Sequence, residues 1–235
     1  MGLTSTSSEE VLRRRIHSDL FSSEVSADNS AMDSLASVPS DKKCPTVISV
    51  LSSLLKRTVS RNERLPPPPL TQSSLQKFSA FVGVRVPAIT IEQYLERIFQ
   101  YANCSTSCFV VAYAYIDRLV QLQPGFRITS LNVHRILITS VLVSAKFLDD
   151  SYYSNAYYAR IGGITTQEMN KLEKIFLSLL DYRLQVTVSV FESYCSHLER
   201  EVSSGGGYQI EKALQAICSY DGEAKQSHVY NTIVA

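Results

Sequence analysis

Between residues 88 and 202, apolar side chains return every three or four positions, the spacing of helices that each bury one face. Five helices with short joins follow from this rhythm. The first, ITIEQYLERIFQYA (89–102), sets Ile91, Tyr94, Leu95, Ile98 and Phe99 on one side. The second, TSCFVVAYAYIDRLVQL (106–122), opens on polar residues, stops at Pro124-Gly125 and is apolar almost all round from 108 to 116. The third, NVHRILITSVLVSAKFL (132–148), is also apolar on most sides, and a helix covered on every face lies inside a bundle. The fourth opens with a capping box, Thr165 and Glu168, and continues MNKLEKIFLSLLDY to about 182. The fifth, TVSVFESYCSHLEREV, starts near Thr187 and stops before the run Gly205–Gly207. β-Branched runs fall inside the helical rhythm, so the pattern predicts an all-α fold.

Upstream the pattern changes twice. In PTVISVLSSLLKRTVSRNERL, Val47, Leu51, Leu54, Leu55 and Val59 lie at helical spacing behind Pro45, which predicts an amphipathic helix over 46–63. Four prolines at 66–69 then make a stiff spacer, and a ligand for a proline-reading domain is the competing account. Residues 1–44 hold eleven serines in the first forty positions and few aromatics, a composition that predicts a disordered tail open to phosphorylation. The expected organisation is therefore a tail at 1–44, a helix and spacer at 45–70, a helical bundle at 71–202, and a glycine-rich linker with one short helix and a tail at 203–235.

Composition narrows the function classes. The 235 residues carry a formal net charge of +1, and over 70–202 twelve Lys/Arg face eleven Asp/Glu. That balance gives no duplex-binding face and no pull toward anionic membranes. No run reaches the ~18 apolar residues of a membrane span. Five scattered cysteines (44, 104, 108, 195 and 218) read as reduced thiols of the nucleus or cytoplasm. MGLTST fits the short pattern for acylation at Gly2, and Arg13–Arg15, flanked by acids, reads as a solvated segment before it reads as a nuclear signal.

Catalytic signatures are missing: no GxGxxG, no P-loop, no HExxH and no nucleophile elbow. Ile161-Gly162-Gly163-Ile164 reads as a turn before the capped helix rather than a phosphate cradle. Cys104 and Cys108 have no second pair at metal spacing, so they read as helical thiols and no metal is expected. The unusual letters are charges set inside apolar helices: Asp117 and Arg118, Lys146, and Glu173. By spacing alone each has an ordinary account. Lys146 complements a helix C-terminus with its stem along the surface, and Glu173 pairs with a neighbouring lysine on a wet face.

In order along the chain, AYIDR, SAKFLDD and LEKIFLSLLDY resemble the cyclin box over about 75–202. HRILIT (134–139) and SNAYYARIGGIT (154–165) are similar to the plant P-type cyclins, also called U-type, and to the phosphate-signalling cyclins of fungi. The resemblance implies a single five-helix cyclin box with an extra N-terminal helix. It implies a regulatory subunit, without catalytic residues or cofactor, that binds and activates a cyclin-dependent protein kinase in cell division or phosphate-linked growth.

Residue by residue, Lys146 and Glu173 match the cyclin pair that bonds main-chain groups around the kinase's mobile C-helix. Val143, Phe147, Leu177, Tyr182 and Leu184 would form the flanking apolar groove. Asp117, with Arg118, matches an internal polar network. A half-satisfied lysine beside an exposed groove is the expected picture. The stretch Pro87-Ala88-Ile89-Thr90-Ile91 stands where many cell-cycle cyclins carry Met-Arg-x-x-Leu, so substrate docking there loses its arginine. The competing class is a cyclin-fold scaffold of the transcription machinery that activates no kinase.

Overall fold

The computed structural model describes residues 44–69 and 71–204. The expected tail at 1–43 and the glycine-rich linker and short helix beyond 204 lie outside the described residues. Eight helices fill the described part: α1 Thr46–Glu63, α2 Gln72–Ser79, α3 Ile91–Ala102, α4 Thr106–Leu122, α5 Val133–Leu148, α6 Asn155–Gly162, α7 Thr166–Leu179 and α8 Val188–Ser204. Among the described residues there is no strand, as the helical rhythm predicts.

Helix α5 is the axis of the bundle, packed against α3, α4, α6 and α7. Its residues from Ile136 to Ala145 are buried without a break. Thr139, Ser140 and Ser144 lie within that run, and each hydroxyl donates to a carbonyl of its own helix: Arg135 at 2.7 Å, Leu137 at 2.9 Å and Val141 at 2.9 Å. A buried hydroxyl satisfied inside its helix avoids the penalty of an orphaned polar group, so an all-round apolar environment is tolerated. Helix α1 presents Val47, Ile48, Leu51, Leu55 and Val59 to α3, α4 and α8. Its Asn62 donates to the Ile128 carbonyl at 2.9 Å, and Glu63 accepts from the Ser130 amide at 2.9 Å, which anchors the loop that leads into α5.

Helix boundaries follow capping chemistry more closely than periodicity. The first box helix begins at Ile91 rather than 89, because Thr90 and Gln93 form a reciprocal capping box. The Thr165–Glu168 box is present as read. Two short helices were not legible as separate elements. Helix α2 is capped by Thr71, and α6 by Ser154, whose hydroxyl accepts from the Tyr157 amide. Helix α7 ends at Leu179, short of the expected 182, because Asp181 and Tyr182 turn left-handed at φ 52° and 56° and the Tyr182 amide returns to the Leu177 carbonyl at 3.0 Å.

The two glycines between α6 and α7 answer different needs. Gly163 closes α6 at φ 67°, a backbone region that side chains disfavour. Gly162 is a matter of space, since a Cβ there would meet Ile138 Cγ1 at 3.1 Å and Tyr94 Oη at 3.3 Å.

One buried polar group on α5 links the fold to pH. His134 is 8% exposed, and its Nε2 lies 3.0 Å from the Ile89 carbonyl, which only accepts. Nε2 therefore carries the proton, and Nδ1 is buried with no hydrogen-bond partner. A second proton would put charge where nothing receives it. Burial holds the ring below the ordinary histidine value of 6.5, against a smaller opposing pull from the backbone at Ile89 and Thr90. The unfolded chain then binds a proton that the folded chain refuses. Stability is full above 6.5 and falls as pH drops below it toward the folded value. Glu168, held low chiefly by the Thr165 amide, loses its contribution only on further acidification, through the carboxylate range. Thermal unfolding followed by circular dichroism is expected to show a lower midpoint at pH 5.5 than at pH 7.5, with His134→Gln flattening the difference; an equal slope in both proteins would exclude His134 as the source.

Candidate functional site

Two of the charges inside apolar helices, Lys146 and Glu173, meet between α5 and α7. Lys146 stands in the last turn of α5, and Glu173 in the middle of α7, the helix that packs along α5. Lys146 Nζ lies 2.8 Å from Glu173 Oε1, with the two side chains 4% and 0% exposed. The second carboxylate oxygen accepts from Asn155 Nδ2 at 2.7 Å, and the same amide group donates to Asn170 Oδ1 at 2.7 Å. Ser154 starts α6 directly before Asn155, so a helix cap fixes the residue that completes the network. Asn155 was missed by sequence reasoning; the Ser154 cap was the signal available.

This arrangement corrects the expected picture of an exposed groove. The lysine is met by a carboxylate of its own chain, and the pair is sealed between helices. Val143, Leu177 and Leu184 are buried at 0%, 0% and 1% exposure, so they are core rather than the walls of an open slot. The reason is packing: the faces of α5 and α7 that carry 143, 146, 173 and 177 are turned toward each other. Phe147 and Tyr182 are half-buried and reach the surface.

Tyr182 and Leu184 belong to a second cluster. Tyr115 donates to the Leu184 carbonyl at 2.8 Å, and Arg118 donates to the carbonyls of Arg183 and Gln185, which fastens the segment after α7 onto α4. Asp117, expected to share a network with Arg118, instead accepts from Tyr194 of α8 and Gln121, both at 2.7 Å. Both residues join elements, but through separate partners. The Pro87–Ile91 stretch is spent on structure too, since the Ile89 carbonyl meets His134 and Thr90 caps α3.

The segment that follows α5 is aromatic. Tyr152, Tyr153 and Tyr157 are half-buried beyond the end of α5. The rings of Tyr153 and Tyr157 stack with centroids 4.1 Å apart, and Tyr157 donates to the Tyr101 carbonyl at 2.9 Å.

A family model described as cyclin matches residues 17–184, well over half of the chain. The chain belongs to the cyclin family. Among curated proteins it is similar to Cyclin-U2-2 of Arabidopsis thaliana, 48% identical over 214 residues that cover 91% of this chain and 86% of the relative. It is 56% identical to Cyclin-U4-1 of the same plant over 157 residues, 67% of this chain and 76% of the relative. Cyclin-P2-1 of Oryza sativa subsp. japonica matches at 46% over 184 residues, 77% and 84% of the two chains. The U-type and P-type resemblance read from the motifs is therefore shown.

In this cyclin the buried pair has a defined energetic role. Two charges taken out of water are stabilised only while each has the other. Removing Lys146 alone leaves Glu173 charged in the interior, with Asn155 as an incomplete replacement. Lys146→Ala is expected to lower stability by about 3–5 kcal/mol, while the double change Lys146→Met/Glu173→Leu recovers much of the loss. Urea denaturation of the three proteins measures this. Equal stability of wild type and Lys146→Ala would show that the interior tolerates the lone carboxylate.

Proposed function

We propose that this cyclin is the regulatory subunit of a cyclin-dependent protein kinase and activates it through the face around the end of α5. The observation that carries the reading is membership of the cyclin family, with Phe147, next in sequence to the sealed Lys146, and Tyr182 reaching the surface at positions that the cyclin resemblance assigns to the kinase groove. Phosphoryl transfer in a protein kinase needs the C-helix glutamate held against the ATP-binding lysine. A bundle that binds only the inward C-helix shifts the kinase toward that state by as much as its differential affinity.

The internal ion pair suits this task. Neither long side chain has to be ordered when the partner arrives, so the entropic cost of docking falls on the kinase. Contact with the partner then comes from what reaches the surface: Phe147, Tyr182 and the half-buried Tyr152, Tyr153 and Tyr157. The output is control of cell division or of phosphate-linked growth, in the nucleus, the cytoplasm or both.

Because the pair also holds the fold, its loss would mix misfolding with lost binding. Phe147 separates the two, being half-buried and outside the sealed network. Tagged full-length wild type and Phe147→Ala are to be compared by capture from cells, with the bound kinase identified by mass spectrometry. A change of about 2 kcal/mol, roughly thirtyfold in kinase recovery, is expected at an unchanged melting temperature. Recovery of no cyclin-dependent kinase by wild type would defeat the proposal, and equal recovery by both proteins would remove this face from it.

A further inference from the structure

The outer face of α1 carries charge of one sign. Opposite the buried Leu51, Leu55 and Val59, the side chains of Lys56, Arg57, Ser60, Arg61 and Arg64 are exposed. They border an open groove of about 530 Å³, which Leu65, 49% exposed, completes just past the helix. Four cations and one acid stand between positions 56 and 64, against twelve and eleven over 70–202. The acid, Glu63, is occupied with the Ser130 amide at 2.9 Å. Among the described residues, only Arg57 of the four cations has a carboxylate partner, Glu201 of α8.

Neither ordinary account of exposed cations fits this face. A merely solvated helix alternates its signs, so that side chains three and four apart attract. Here Arg57 and Arg61, and Arg61 and Arg64, stand at those spacings and repel. The helix dipole welcomes cations near the C-terminus, which accounts for Arg61 and Arg64 but not for Lys56 and Arg57 before them. The crowding opposes the helix, and an anion seated in the groove relieves it.

The shape of the groove selects the anion. Its cations span about 12 Å of helix, the reach of three or four extended residues. A duplex or a membrane presents charge over a longer track, and the balanced charge elsewhere in the bundle does not continue this one. Three of the four cations are arginine, whose fork matches phosphate oxygens two at a time. Ser60, four positions from both Lys56 and Arg64, is small and leaves the floor clear. Leu65 and the stems of the long side chains supply an apolar wall. We infer that this groove binds a phosphorylated segment of a partner protein, a phosphoserine or phosphothreonine with an apolar residue beside it.

The groove is built before such a ligand arrives. The Arg64 and Leu65 amides donate to the Arg61 and Asn62 carbonyls, both at 3.3 Å, and so continue the turn past α1. Arg127 donates to the Pro66 carbonyl and fastens the chain that follows. Arg57 is held by Glu201, which leaves Arg61 and Arg64 to close on the phosphate. None of these residues belongs to the proposed kinase face.

The test uses the full chain and an array of random peptides with one central phosphoserine, beside the same peptides with serine. Phosphorylated members with an apolar neighbour should be retained. A retained peptide, labelled with fluorescein and titrated by anisotropy, should bind at least about tenfold more tightly than its serine form. Arg61→Glu/Arg64→Glu should abolish that difference at an unchanged melting temperature. Arg61→Lys/Arg64→Lys, which keeps the charge but not the forks, should retain only part of it. Retention blind to phosphate, or a phosphate preference that survives the charge reversal, would overturn the proposal. Tighter binding to a short DNA duplex or to phosphatidylserine vesicles than to the peptide would overturn the choice of a protein partner.

Discussion

The 2.8 Å contact between Lys146 and Glu173 joins the last turn of α5 to the middle of α7, where the two side chains are 4% and 0% exposed. An unpaired charge in that place is far more expensive than the pair, so the two helices are held to one register. Asn155 extends the constraint to α6, because its amide serves Glu173 and Asn170 together. A second pair, Arg135–Glu168 at 2.9 Å, joins the same two helices nearer their starts, but it is partly exposed and worth little by comparison. Register is set by the buried contact and only trimmed by the open one.

The end of α5 gathers several consequences of that constraint. Lys146 faces α7, Phe147 reaches the surface, and Asp149 turns back to the start of α4. One short segment thus carries an interior charge, a surface aromatic and the acceptor for a buried thiol. The rigidity of α5, buried from Ile136 to Ala145, is what lets the proposed kinase face be defined before a partner arrives.

Glycines and caps position the elements that complete the site. Helix α6 begins at Ser154 because its hydroxyl receives the Tyr157 amide, and it ends at Gly163 because that residue takes a left-handed turn. Gly162 lets α6 approach Ile138 of α5 closely, and Tyr94 donates to its carbonyl at 3.1 Å. These devices put Asn155 at the ion pair. They are local in sequence but have a tertiary effect, since a displaced α6 would leave Glu173 with one partner fewer.

Periodicity, caps and composition by themselves determined the helical class, the central position of α5, the span of α1 and the capping box of α7. Each of these depends on a repeat or a pairing within one turn of helix, where chain neighbours are also neighbours in space. Ordered motifs along the chain also carried the family. Helices α2 and α6, each 8 residues long, were not separable, because so few turns offer little period to read. Only the tertiary structure decided that Lys146 and Glu173 meet inside, that Val143, Leu177 and Leu184 are core, and that Asp117 and Arg118 serve different partners. The physical reason is the same throughout: a repeat tells which side of a helix turns inward, while the identity of what it meets there depends on residues far away in the chain.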